Sequence, residues 1–251
     1  MLLIRLYRAL LRRPHPNRLN HTAQDYRRIV RNLLKRHPGD RALALAQAIG
    51  AVDMDAFRSQ GDGHVAVLRH HGLADGMSVY DLGCGCGRTA QALQRSGWKG
   101  QYTGADVVPE LLAELELHCP DYAVVLHCDP SVAASDSSVD IIFHWSVFTH
   151  LFPAECYLYL QDGFRALKPG GRMVFSFLEL EEPLHDRIWR MNVDHLINGR
   201  RAAQLDQFLH RDWIRRFALQ AGFTEPRFTD GSDDTVHPAF WQSLAVIEKP
   251  A

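Results

Sequence analysis

Long apolar stretches are missing from this chain. No run of about 18 apolar residues occurs, so nothing in it reads as a membrane-spanning helix. Cysteine is scarce and poorly spaced for pairing. Cys84, Cys86, Cys119, Cys128 and Cys156 form an odd set without a Cys-x-x-Cys pair. That argues against a disulfide framework or a thiolate zinc site, and for a reducing, cytoplasmic setting. The 14 histidines are scattered, with no His-Glu-x-x-His or comparable cluster, so no metal is expected. His70-His71 reads as a solvated helix end. No stripe of basic residues interleaved with aromatics runs through the second half, which makes nucleic acid a poor partner. Internal repeats and low-complexity segments are absent as well.

What is present is an ordinary globular composition. The 251 residues are 46% hydrophobic and 23% charged, enough to bury one sizeable α/β domain with appendages. The net charge of −1 conceals a split. Residues 1–39 carry ten Lys/Arg against Asp25 alone, +9, while the remainder carries 18 basic and 28 acidic residues, −10. Such asymmetry points to an anionic partner for the N-terminal part.

The chain centres on Val79-Tyr80-Asp81-Leu82-Gly83-Cys84-Gly85-Cys86-Gly87-Arg88. β-favouring residues run into a glycine turn that opens a helix, the arrangement that offers free backbone N–H groups to a ligand. NAD, a nucleotide or S-adenosylmethionine could use such a turn. Two details favour the last. The spacing is Gly-x-Gly-x-Gly, without the Gly-x-Gly-x-x-Gly that lets a helix end approach a pyrophosphate. Asp81 also sits just ahead of the turn, awkward beside phosphates and suited to an ammonium group. Cys84 and Cys86 read as small residues within the turn.

This segment resembles the first motif of the class I S-adenosylmethionine-dependent methyltransferases, and four later stretches are similar to the family's other motifs in order. They are Tyr102-Thr103-Gly104-Ala105-Asp106, Ala123 to Cys128 followed by Asp129, Asp140-Ile141-Ile142-Phe143-His144-Trp145, and Leu167-Lys168-Pro169-Gly170-Gly171-Arg172. The resemblance covers roughly residues 52–249. It implies an α/β, doubly wound seven-stranded sheet, mostly parallel with an antiparallel C-terminal strand pair, plus N-terminal accessory helices.

Taken in order, residues 1–13 predict a basic amphipathic helix, with Arg5, Arg8 and Arg12 on one face and Leu3, Leu6, Tyr7, Leu10 and Leu11 opposite. It lacks the small-residue cleavage site of a secretory signal. Tyr26, Ile29, Val30, Leu33 and Leu34 mark a second helix that stops near His37-Pro38-Gly39. The pair either packs on the catalytic domain or rests on a membrane surface. Residues 1–40 are thus a basic helical extension, and 41–251 the methyltransferase domain. Further helices are expected at 41–50, 62–73, 89–95, 109–117, 153–166 and 212–222, with closing strands near Thr224–Phe228 and Gln242–Glu248. A segment at 178–211 interrupts the strand–helix alternation and is the expected acceptor-binding insertion. The resemblance also makes the region before the first strand a lid, with Phe57 and Gly61 as candidates.

By the same resemblance Asp81 and the backbone of Gly83, Cys84 and Gly85 hold the amino-acid end of S-adenosylmethionine. Asp106 accepts from the ribose hydroxyls, Val107 lies against the adenine, and Asp129 with Pro130 meets its exocyclic amine. His144 and His150 follow the fourth strand, at the crevice where open α/β sheets bind ligands. An acceptor hydroxyl benefits from a base whose pKa is near neutrality, so either histidine is a candidate, and His144 also a cofactor contact. The Asn/Asp-Pro-Pro-Tyr motif for planar nitrogens and the acidic metal cluster of catechol-type enzymes are both missing. The expectation is methyl transfer to a small or lipid-like acceptor, at oxygen. A protein or RNA methyltransferase, or a cofactor-binding protein without turnover, stays open, as does the oligomeric state.

Overall fold

The structure, a computed structural model, describes residues 19–200, 204, 206–233 and 241–251. The helix expected at 1–13 lies outside them. Seven strands form one sheet in the order β3-β2-β1-β4-β5-β7-β6. They are β1 (Ser78–Leu82), β2 (Gln101–Asp106), β3 (Ala123–Leu126), β4 (Val139–His144), β5 (Leu167–Phe177), β6 (Arg227–Thr229) and β7 (Ser243–Glu248). The first five run parallel, and β7 is antiparallel to both β5 and β6.

The helices are α1 (Asn20–Arg36), α2 (Arg41–Ala48), α3 (Met54–His70), α4 (Arg88–Arg95), α5 (Pro109–His118), α6 (Pro153–Ala166), α7 (Asp186–Ile197) and α8 (Arg211–Ala221). One sheet face buries Tyr80, Ile142, Phe175 and Phe177 with Tyr159, Leu160, Ile214 and Ala218 from α6 and α8. The other buries Val79, Ile141, Phe143 and Val174 with Leu68, Leu93 and Leu115 from α3, α4 and α5. Strands covered on both faces explain why β1 and β4 read as near-continuous apolar runs.

Two boundaries differ from the sequence expectation. Helix α3 starts eight residues before Asp62, at Met54. Its cap is Asp53, whose carboxylate accepts from Ala56 N at 2.7 Å. Gly61, a lid candidate by the resemblance, is a packing residue. A Cβ there would lie 2.7 Å from Arg88 O, so the glycine lets α3 and α4 approach closely. Phe57 is equally enclosed, 2% exposed, so neither residue forms an open lid. Strand β6 is displaced to Arg227–Thr229 and is only three residues long.

Helix α1 is the second of the two basic helices expected from the sequence. Val30 is fully buried, and with Tyr26, Ile29, Leu33 and Leu34 it packs on Leu45 of α2, Phe57 of α3 and Leu111 of α5. This helix lies over the carboxyl ends of the strands and packs on the rest of the domain, one of the two arrangements the sequence left open for it. Arg31, Lys35 and Arg36 are exposed on its outer face, so the same amphipathic pattern serves packing there.

Candidate active site

Strand order reverses at β1, flanked by β2 and β4, and the glycine turn leaves its carboxyl end there. Gly83 and Gly85 have φ of 69° and 57°, a region closed to most side chains. Space is short too: a Cβ on Gly83 would come within 2.5 Å of Val147 Cγ2, and one on Gly85 within 2.9 Å of Ile49 Cγ2. The register sets Leu82 beside Ala105, which brings the ends of β1 and β2 together. Asp106 then ties the turn down. Its Oδ2 accepts from Gly85 N and its Oδ1 from Val108 N, both at 2.9 Å. Burial pushes this carboxyl up to about 6, against the opposing pull of the Val108, Gly85 and Val107 N–H groups.

A cavity of about 590 Å³ opens beyond the turn, within the size range of small-molecule sites. Gly83, Gly85, Asp106 and Val107 form its floor, Tyr26 and Ile29 of α1 one wall, and Ile188 and Met191 of α7 another. The expected insertion thus faces the cavity, but some of its residues do other work. Glu179 is 1% exposed and grips Arg211 through two hydrogen bonds of 2.8 and 2.7 Å, and Ser243 Oγ also donates to it. Glu182 accepts from Ser232. Trp189 packs edge-on against Phe208.

Beside the cavity, a cleft of about 60 Å³ is lined by Asp81, His64, Cys84, Arg88 and Thr89. Asp81 is 2% exposed and accepts from Tyr102 OH at 2.6 Å. Burial raises its carboxyl to about 7, opposed by hydrogen bonds from Tyr102 and Thr89, while the Asp106 charge adds to the rise. His64 Nδ1 pairs with Thr89 Oγ1 at 3.0 Å, and burial, then Arg88, holds that imidazole well below its ordinary pKa. Arg88 Nη2 donates to Ile49 O at 2.5 Å, but its Nε is buried without a hydrogen-bond partner. Such an orphaned donor calls for an acceptor. A carboxylate acceptor for an ammonium, a guanidinium donor for a carboxylate, and Asp106 for a ribose suit an adenosyl amino acid. The residues present therefore fit S-adenosylmethionine.

The other sequence candidates divide. Val107 lines the cavity, while Cys84 lines only the small cleft. Asp129 is exposed and Pro130 half-buried, and neither lines the cavity. The Asp129 carbonyl accepts from Tyr159 OH at 3.1 Å, which turns that segment outward. His127 stands in the lining instead, its Nε2 2.8 Å from Ser131 Oγ. His144 is fully buried, stacked 5.0 Å from Phe175, with both ring nitrogens unpartnered. Burial pulls its pKa down to about 3. Enclosed in the core, it reaches neither acceptor nor cofactor, a correction to both roles expected of it.

His150 does line the cavity, at the end of a 3-10 turn (Phe148–His150). Its Nδ1 lies 4.0 Å from Asp206 Oδ1, and its ring meets Tyr26 edge-on at 5.5 Å. Asp206 comes from the insertion. Burial raises its carboxyl, opposed by His150, Gln204 and His195. His195 on α7 also lines the cavity, with Nδ1 buried and unpartnered. Tyr26, Arg88, His195 and Asp206 carry no motif that marks them in the sequence. Only Arg88 had a signal: a base directly after the glycine turn. Among the described residues no group of three His, Cys, Asp or Glu side chains could hold a metal ion, and no helix is long and apolar enough to cross a membrane.

Comparison with known proteins agrees with this geometry. Residues 80–175 match the family described as "Methyltransferase domain". The arsenite methyltransferase of Aquipseudomonas alcaligenes is 29% identical over 171 residues, 63% of this chain and 47% of that protein. A ubiquinone biosynthesis O-methyltransferase from Sodalis glossinidius is 30% identical over 118 residues, 45% of each chain. The chain thus spans under half the length of these curated relatives. Among solved structures, magnesium protoporphyrin IX methyltransferase from Synechocystis superposes with a TM-score of 0.57 at 15% identity, covering 87% of this chain and 93% of that one. The five motifs, the sheet order and the matched segment converge: residues 80–175 are a methyltransferase domain of the class I S-adenosylmethionine-dependent kind.

Proposed function

We propose that the protein transfers a methyl group from S-adenosylmethionine to the oxygen of a small or lipid-like acceptor, with His150 as the base. One observation carries this reading: His150, beside Asp206, shares a single cavity with Asp106 and the glycine turn. Bound S-adenosylmethionine supplies a methyl carbon on a sulfonium leaving group. Asp81 and Arg88 hold the two ends of its amino acid, Gly83 and Gly85 offer backbone, and Asp106 takes the ribose. Val107 and His127 border the adenine, a task that falls less readily to the exposed Asp129 and to Pro130. The walls from α1 and α7 exclude water and align the acceptor, which supplies much of the rate for an in-line displacement. His150 accepts the hydroxyl proton as the oxygen–carbon bond forms and the carbon–sulfur bond breaks, and Asp206 faces the resulting imidazolium.

The relatives' names include arsenite and ubiquinone biosynthesis. A soft arsenic centre asks for thiolates, and no cysteine lines the cavity among the described residues. The apolar lining supports the hydroxyl-bearing, lipid-like alternative. A cavity of about 590 Å³ also suits a small acceptor better than a polypeptide or RNA chain. Residues 1–13 and their arginines would hold the protein at an anionic surface, where each basic residue contributes about 1 kcal/mol.

The test is turnover of His150→Phe. A base removed without disturbing the cofactor lowers kcat by roughly 10²–10⁴-fold while S-adenosylmethionine affinity holds. Equal loss of both would mean that His150 shapes the pocket, and unchanged kcat would remove the base from the reading.

A further inference from the structure

Resting on the methyl-transfer reading, we infer that the acceptor is an uncharged, largely apolar hydroxyl compound, and that Asp206 is the residue that excludes anionic ones. The cavity's ionisable lining decides the sign. Among the described residues it consists of the carboxylates Asp106 and Asp206, the imidazoles His127, His150 and His195, and the tyrosines Tyr26 and Tyr159, with no Lys or Arg. Arg27, on α1, points a donor at Val107 O, 3.4 Å away, and is not part of the lining. Arg88 belongs to the neighbouring cleft and to the cofactor. A carboxylate or phosphate on the acceptor would therefore lose part of its hydration and meet no Lys or Arg among the described lining residues, while facing the side chain of Asp206, which is only 11% exposed. Like charges this close in a desolvated site are strongly unfavourable.

A neutral hydroxyl meets the opposite situation. It can donate to His150, and a second neutral polar group can satisfy the buried, unpartnered Nδ1 of His195 in either tautomer. The rest of the molecule would lie against Leu19, Ile29, Leu151, Leu178, Ile188 and Met191. Charge discrimination arrives with the insertion, because Asp206 and His195 both come from it while His150 comes from the 3-10 turn that follows β4. Specificity built from an unfavourable charge is a general device.

Two probes with one ring system separate the outcomes: 2-naphthol, neutral at pH 7.5, and 2-naphthoate, an anion. Each is titrated calorimetrically into the full-length protein saturated with S-adenosylhomocysteine. Wild type should bind 2-naphthol at least about tenfold more tightly than 2-naphthoate, the scale of a desolvated like-charge contact. Asp206→Asn keeps the shape and removes the charge, so it should shrink that ratio to about threefold or less with S-adenosylhomocysteine affinity unchanged. Equal or tighter naphthoate binding by wild type overturns the inference, as does an unchanged ratio in the variant. Binding of neither probe also overturns it, since the cavity then does not accept an uncharged hydroxyl. Failure to bind S-adenosylhomocysteine would instead remove the methyl-transfer reading beneath it.

Discussion

Lowering the pH from 7 to 5 should release the cofactor while the protein stays folded. The complex needs Asp81 ionised against the ammonium of S-adenosylmethionine and Asp106 ionised against the ribose. Both start from carboxyl groups that burial has raised, to about 7 and about 6. Between pH 7 and 6 the ionised fraction of Asp81 falls from about one half to about one tenth, and that of Asp106 from about nine tenths to one half. Dividing the intrinsic Kd by the competent fraction gives an apparent Kd about tenfold weaker at pH 6 and about 500-fold weaker at pH 5. The ligand's own α-amino group, with a pKa of about 7.7–8.0, stays charged throughout. The linkage to folding has the opposite sign. Both folded-state pKa values lie above the unfolded ones, so at these groups the cofactor-free protein loses stability as pH rises from about 4 to about 7. Calorimetric titrations at matched ionic strength, with circular dichroism to check folding, measure the first effect. Asp106→Asn, which removes a charge that raises Asp81, should move the profile to lower pH. A Kd constant within about twofold from pH 7 to 5 in folded protein would refute the reasoning.

Other outcomes follow from single contacts. Asp106→Ala should weaken S-adenosylmethionine binding by about 1.5–3 kcal/mol, the range for hydrogen bonds to a charged group, with Asp106→Asn between, read by calorimetry. Glu179→Ala should destabilise the fold by about 2–3 kcal/mol in urea denaturation, below the range for a fully buried pair because Arg211 keeps Asp230 and part of its hydration. Residues 1–13 should be required for salt-sensitive sedimentation with anionic vesicles, and their deletion should leave cofactor binding intact. Sedimentation unchanged by the deletion would assign any surface affinity elsewhere.

The sheet was legible because its strands carry local signals. Val79 to Leu82 and Asp140 to Phe143 are apolar runs bounded by turns, and Gly83 and Gly85 mark a tight turn that adopts positive φ. Asp81 and Asp106 could be named because they stand in the stretches that resemble the family's first two motifs. What escaped depends on contacts distant in sequence. His144 and His150 are equivalent to a reader of the chain, yet one faces Phe175 in the core and the other the cavity. That difference is set by β5 and α1, not by neighbouring residues. Asp206 lies 56 residues beyond His150, in a stretch without periodicity, so no spacing could pair them. Helix α1 was legible as an amphipathic helix, but not the surface that its stripe of Tyr26, Ile29 and Val30 meets, because Leu45, Phe57 and Leu111 are distant in sequence.

Methyl transfer itself is the most direct test. Protein, methyl-labelled S-adenosylmethionine and a panel of uncharged apolar hydroxyl compounds should yield a labelled ether together with an equal amount of S-adenosylhomocysteine. His150→Phe should form both at least about 10²-fold more slowly. Tight cofactor binding with no labelled ether from any member of the panel, or label found only on nitrogen or on protein, would contradict the account.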